Sequence, residues 1–255
     1  MTLLIALTLG VNLSQHFGEG EGVAIPLEGF SVIRTDLPRD HIEKADGSYD
    51  WGPYDRGYEA IRGRGMRVLW VVSLNWVDAG FARFFWTAVG RYPDALFELG
   101  NEENLRMPPE AYIEILESLG PGRLPIISAG IGGGVWDEAW LTAAIAAGLA
   151  DRVDAIGIHP YGLQPHELGG AIARLRQRCA LPILITEWGR PSLESEEVQA
   201  EFYRLALGAA REARVPLFIA YSLIDRPDHP GPETERHFGL FRADGTPKAS
   251  HRELK

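Results

Sequence analysis

The sequence predicts an α/β protein with a single (β/α)8 TIM barrel over residues 1–255, on three observations. The chain has 255 residues, about the size of one complete eightfold barrel. From Arg67 onward, apolar runs beginning near Arg67, Ala95, Leu124, Val153, Leu181 and Val215 recur at roughly 30-residue intervals, the beat of one strand plus one helix. Between them lie amphipathic or Ala-rich stretches, so the strands are expected to be parallel and covered by helices. A doubly wound open sheet fits less well, because no Gly-rich dinucleotide turn follows the first strand.

The first strand is expected near Ile5 to Val11, followed by a polar, Gly-rich loop from Asn12 to Gly22. The apolar start carries no Lys or Arg ahead of it and is too short to span a bilayer, so it reads as a strand rather than a targeting segment. Gly29 to Arg34 forms the second strand, and Thr35 to Tyr49 a long loop. Tyr54, Tyr58 and Ile61 share one face of a helix that Gly65 ends. Arg67 to Ser73 is the third strand, with Asn75 and Trp76 at its tip, and the helix Phe81 to Arg91 follows. The fourth strand, Leu96-Phe97-Glu98-Leu99-Gly100, stops in the polar cluster Asn101-Glu102-Glu103-Asn104. Pro108 and Pro109 open the next helix, because proline is tolerated in a first turn.

Leu124 to Ser128 is the fifth strand and leads into a glycine run, Gly130 to Gly134. That run lacks a Lys-Ser/Thr ending, so it reads as a close approach of backbone to a ligand, or a lid, rather than a phosphate loop. A helix from Asp137 to Leu149 follows, then strand Val153 to Ile158 ending in His159-Pro160-Tyr161. Helix Leu168 to Cys179 precedes the seventh strand, Ile183 to Gly189, which presents Glu187 beside Trp188. Glu194 to Ala213 is the longest helix, Pro216 to Tyr221 the eighth strand, and the tail has a turn at Asp244-Gly245 and a short closing helix.

Composition narrows the partners. A formal charge of −10 argues against nucleic acid or an anionic membrane and is compatible with a neutral substrate. The single cysteine, Cys179, excludes an internal disulfide and a cysteine metal cluster. Both a reducing cytoplasm and secretion of a disulfide-free enzyme are permitted. His16 stands alone after the first strand, so no His-x-His metal site is expected there. Asn12-Leu13-Ser14 fits a glycosylation sequon, a triplet common by chance.

In a barrel the C-terminal strand ends converge on one face. Arg34, Asn75, Asn101, Glu102, His159, Tyr161, Glu187 and Tyr221 all stand at such ends. A lone Glu there usually caps a helix or pairs with a cation. Two carboxylates on different strand ends form instead the minimal apparatus of a glycosidase.

Asn101-Glu102 after the fourth strand and Glu187 after the seventh resemble the pattern of clan A retaining glycoside hydrolases over almost the whole chain. The region Arg34-Thr35-Asp36-Leu37 with Gly47 to Trp51 is similar to family 39, and His159-Pro160-Tyr161 resembles the His-x-Tyr of family 5. The tail Phe238 to Phe241 with Asp244 to Lys248 is similar to a frequent ending in these proteins. The resemblance implies hydrolysis of β-glycosidic bonds in an oligo- or polysaccharide by double displacement, without metal or cofactor, by a monomer. Glu102 would be the acid/base and Glu187 the nucleophile; Glu103 competes for the acid role. Arg34 and Tyr161 would hold Glu187, Asn101 would bond a sugar hydroxyl, and His159 would orient a carboxylate. Trp76, Trp136, Trp188 and Tyr221 are candidate sugar platforms, with Trp188 open also to the reading of a ring that shields the adjacent Glu from water, whereas Trp51 and Trp70 are expected in packing. The chain departs from the pattern at Tyr221, where many members carry Trp. That departure keeps a second reading open, a glycan-binding barrel that is catalytically weak or inactive. The short loops imply an open groove and endo action.

Overall fold

The computed structural model describes residues 7–13, 27–132 and 136–254. His16, Ser14 of the sequon, most of the loop after the first strand, and Gly133 and Gly134 lie outside the described residues. Eight strands form one parallel sheet: β1 (Thr8–Asn12), β2 (Val32–Leu37), β3 (Arg67–Val72), β4 (Leu96–Asn101), β5 (Ile127–Gly130), β6 (Ile156–Ile158), β7 (Ile183–Trp188) and β8 (Leu217–Ala220). Their order is β5-β4-β3-β2-β1-β8-β7-β6, and parallel bridges Ile127 to Ala155 and Ile131 to Ile158 bring the two end strands together. The sheet therefore closes into the expected barrel.

The helices are α1 (Arg39–Ile42), α2 (Gly52–Arg62), α3 (Phe81–Arg91), α4 (Pro109–Ser118), α5 (Glu138–Ala146), α6 (Leu149–Arg152), α7 (Leu168–Arg176), α8 (Glu196–Glu212) and α9 (Ala249–Glu253). Two differences from the sequence reading have local causes. The expected helix from Asp137 to Leu149 is divided, because Gly148 takes φ +104° and restarts the chain as α6. The second strand runs three residues further, to Leu37, because its register with β3 continues to Val72. Asp137 caps α5 through its side chain, and Ser195 does the same for α8.

Side-chain alternation divides the core. Outward residues such as Ile33, Val68, Trp70, Phe97, Leu99, Ile185 and Phe218 pack under the helices in one large cluster. Inward residues Val32, Leu69, Val71, Ile127, Ala155, Leu184, Leu217 and Ile219 fill the lower barrel as a second, dry cluster. Trp51 stacks on Phe84, and Trp70 packs against Tyr54 and Tyr92, so both tryptophans hold α2 and α3 to the barrel. Among the described residues no helix is long and apolar enough to cross a membrane. Cys179 is free and buried.

Candidate active site

Above the apolar plug the interior turns polar. On β2 the inward positions run Val32, Arg34, Asp36, so the alternation that puts Val32 in the core also puts Arg34 in the barrel mouth. Arg34 is 3% exposed and donates from Nε to Glu98 at 2.7 Å, from Nη1 to Glu187 at 2.8 Å, and from Nη2 to Asn101 Oδ1 at 2.7 Å. One guanidinium thus links β2, β4 and β7, a use of the planar fork that Lys could not reproduce.

Glu187 is reached by an irregularity in β7. Ile185 pairs with Phe218 and Trp188 with Ala220, three residues against two, a one-residue bulge. The bulge lets Thr186 and Glu187, though consecutive, both face the interior, where they bond Glu98 and Arg34. It also turns Trp188 outward. Trp188 is 1% exposed and packs edge-on against Phe202 of α8, so it is a core residue and not the sugar platform expected of it.

Glu187 accepts hydrogen bonds from Asn12 Nδ2 at 3.1 Å, Arg34 at 2.8 Å and the Tyr161 hydroxyl at 3.0 Å. Burial pushes its carboxyl above the ordinary range; His159 and Arg34 oppose that, while Glu102 adds to it. Tyr161 is held as a neutral donor, since burial and the neighbouring Glu187 raise its phenol well above the usual value.

Glu102 follows β4 in the left-handed region, with φ 54° and ψ 44°. That turn decides between the adjacent glutamates. Glu102 lines the cavity, whereas Glu103 is fully buried beneath it, accepting from the Asn101 backbone N–H at 3.1 Å and from Arg106 at 2.7 Å. Glu102 Oε1 lies 3.1 Å from His159 Nδ1. One oxygen of Glu102, one of Glu187 and one ring nitrogen of His159 lie within 4.8 Å of one another.

His159 is fully buried behind Glu102 and contacts that carboxylate, so it lies behind the pair and not in the cavity lining. Burial works against its charged form, but Glu187, Glu102 and Glu98 outweigh burial and raise it to about 9. The glycine run explains how the ring fits. A Cβ on Gly130 would stand 2.0 Å from His159 Nε2, and one on Gly132 would stand 2.5 Å from Glu102 Oε1. These two glycines make room for the site's own side chains, not for a ligand.

The mouth opens into a cavity of about 980 Å³ lined by Arg34, Asn101, Glu102, Tyr161, Glu187 and Tyr221, among others. Asn75 lines it and accepts from Arg106, and the Tyr221 hydroxyl donates to Glu235 at 3.0 Å. Trp76 is 47% exposed beside Asn75, with the Arg39 guanidinium 4.2 Å from its ring centroid. Trp136 stands apart from the cavity lining: its Nε1 donates to Glu138 at the start of α5, which holds the ring against the core. Sequence reasoning missed Asn12, Glu98, Thr186 and Glu235. Of these, only Glu98 left a signal, as a lone charge inside an apolar strand.

The cluster Glu102, His159 and Glu187 is also the donor set that a cation would need. Both oxygens of Glu187 are engaged by Asn12, Arg34 and Tyr161, and the guanidinium already supplies the positive charge. The arrangement suits proton transfer better than metal binding.

No protein-family model and no curated protein matches the sequence. Among solved structures, a family 39 glycoside hydrolase from the gut symbiont Bacteroides cellulosilyticus WH2 superposes with a TM-score of 0.77 at 22% identity, covering 98% of this chain and 63% of that one. A psychrophilic family 10 endo-β-1,4-xylanase gives 0.71 at 14% identity over 97% of this chain and 96% of the other. The exo-β-1,4-mannosidase Op5Man5 from Opitutaceae bacterium strain TAV5 gives 0.65 at 16% identity over 97% and 58%. The chain thus spans about three fifths of the length of the first and third of these structures. The chain has the (β/α)8 barrel fold of the clan A glycoside hydrolases.

Proposed function

We propose that the protein is a retaining glycosidase acting on β-linked oligo- or polysaccharides, with Glu102 as acid/base and Glu187 as nucleophile. The observation that carries this reading is the separation of the two carboxylates, whose oxygens approach within 4.8 Å at the C-terminal mouth of the barrel. Retaining enzymes hold their carboxyl groups about 5–5.5 Å apart, and inverting enzymes need about 6.5–9.5 Å to admit a water.

The surroundings support these roles. Two unit charges 4.8 Å apart repel by about 3–4 kcal/mol at an effective dielectric near 20, so the pair retains one proton over a wide pH range. Three donors converge on Glu187 and favour its anion. Glu102 is the member of the pair that faces the cavity, with its side chain 20% exposed, so it is the one within reach of a departing oxygen. In the first step Glu187 attacks the anomeric carbon while Glu102 passes its proton to the departing oxygen. In the second, Glu102 removes a proton from water, which attacks the same carbon and releases Glu187. Asn101, fixed by Arg34, donates to the sugar 2-hydroxyl, and Tyr221 supplies the platform beneath the ring.

Asp36, Asp40 and Glu235 line the cavity and favour neutral sugars over uronic or sulfated ones. The breadth of the cleft supports endo action, and release of nothing but terminal monosaccharide from oligosaccharides would refute that part. A 2-deoxy-2-fluoro glycoside with a good leaving group tests the core of the proposal. Peptide mass spectrometry is expected to find the sugar esterified to Glu187; label on another residue, or an inverted first-formed anomer, would overturn it.

A further inference from the structure

Glu98 is fully buried in the middle of the barrel and reaches neither the cavity nor any position a sugar could occupy. Its carboxylate nevertheless accepts three hydrogen bonds. Oε2 accepts from Arg34 Nε at 2.7 Å; Oε1 accepts from the Thr186 hydroxyl at 2.7 Å and the Gly130 backbone N–H at 2.9 Å, and lies 3.8 Å from His159 Nε2. Partners thus arrive from β2, β5 and β7 and from the residue after β6. Every one of these donors matches an anion, and burial, which opposes the charge, is outweighed by Arg34 and His159, so the carboxyl is pulled down to about 2.

Its two cationic partners each continue to one member of the carboxylate pair. Arg34 goes on to Glu187 and Asn101, and His159 goes on to Glu102. Glu98 is therefore the common anchor of two arms that end on opposite sides of the reacting atoms. The other ionisable groups acting on this cluster are Asp36, through Arg34, and the buried Tyr112 phenol. Neither bridges the arms.

We propose that Glu98 is a positioning residue whose anion aims Arg34 at Glu187 and holds the His159 ring against Glu102 without touching substrate. This rests on the reading of Glu102 and Glu187 as the catalytic pair, but the part concerning His159 is measurable without turnover.

The test follows the His159 ring by NMR across pH in the wild type and in Glu98→Gln, together with the pH profile of kcat/KM on a hydrolysed aryl glycoside. Removing a neighbouring anion lowers the proton affinity of the groups around it. The His159 midpoint is expected to fall by about one to three pH units, and the alkaline limb of the profile to move to lower pH. A folded Glu98→Gln protein with both midpoints unmoved would overturn the proposal, even if its activity fell. Should Glu98→Gln not fold, Glu98→Asp retains the charge but withdraws it by one methylene. Its His159 midpoint must still drop below that of the wild type, and an unchanged midpoint overturns the proposal. A wild-type protein that hydrolyses no glycoside would remove the catalytic reading while leaving the histidine titration to judge Glu98.

Discussion

Along β2, β4 and β7 the inward side chains change from Val32, Leu96 and Leu184 to Arg34, Glu98 and Thr186 within two residues. The lower layer of the barrel is a dry plug of aliphatic side chains; the layer above it is a hydrogen-bonded network of charges that is equally buried. Burial of apolar surface stabilises the first without regard to direction. Charges placed at the same depth are costly unless each finds its partner, and every neighbour in the upper layer is fixed by that requirement. The contrast shows how one cylinder separates duties: the plug holds the strands together, and the network points side chains at the mouth.

Variants that respond differently in the two layers sharpen this contrast. The largest effects are expected at the top. Glu187→Gln should lower kcat by about 10⁴-fold or more, and Glu102→Gln by about 10²–10⁴-fold, with melting temperatures near that of the wild type. Near-normal turnover in either would remove that residue from its role. In the lower layer the signature reverses. Leu69→Ala, at a fully buried position of the plug, should cost about 2–5 kcal/mol in denaturant titration while kcat per folded molecule is retained. A plug variant that lost turnover but not stability would erase the distinction.

The two layers also part company with pH, since the plug does not titrate. Glu98 is lowered from 4.5 to about 2, so its contribution is complete above pH 4.5 and is lost as pH falls toward 2. His159 is raised from 6.5 to about 9, so its contribution is complete below pH 6.5 and is lost as pH rises through 9. These groups share contacts, and together they should make unfolding free energy fall by about 3 kcal/mol at each extreme. Melting temperatures that stay flat from pH 6.5 to 9.5 would contradict the His159 part. The smallest effect concerns the outer shell. Trp188→Phe should cost about 1–3 kcal/mol of stability and leave KM unchanged, because its ring faces α8. An altered KM would return Trp188 to the sugar site.

Much of this was legible in the chain itself. The beat of apolar runs gave the eight units, and the strand ends gave Arg34, Asn101, Glu102, Tyr161, Glu187 and Tyr221 as neighbours. The errors share a cause. Trp188 and Glu187 are adjacent in sequence, and only the bulge against β8 decides which faces inward. Glu102 and Glu103 are likewise adjacent, and although Glu102 was the expected acid, only its left-handed backbone puts it in the cavity and Glu103 beneath. Trp136 follows a plausible strand end, yet its bond to Glu138 holds it away from the cavity.

By itself the sequence determined the architecture, because hydrophobic periodicity is local and repeats with each strand and helix. It also determined which strand ends carry carboxylates. The tertiary structure alone decided their separation, their donors, and the burial of Glu98 at the junction of Arg34, Thr186 and His159. Those are contacts between residues 26 to 175 positions apart, made only when the sheet closes, and no local pattern encodes a distance across a barrel.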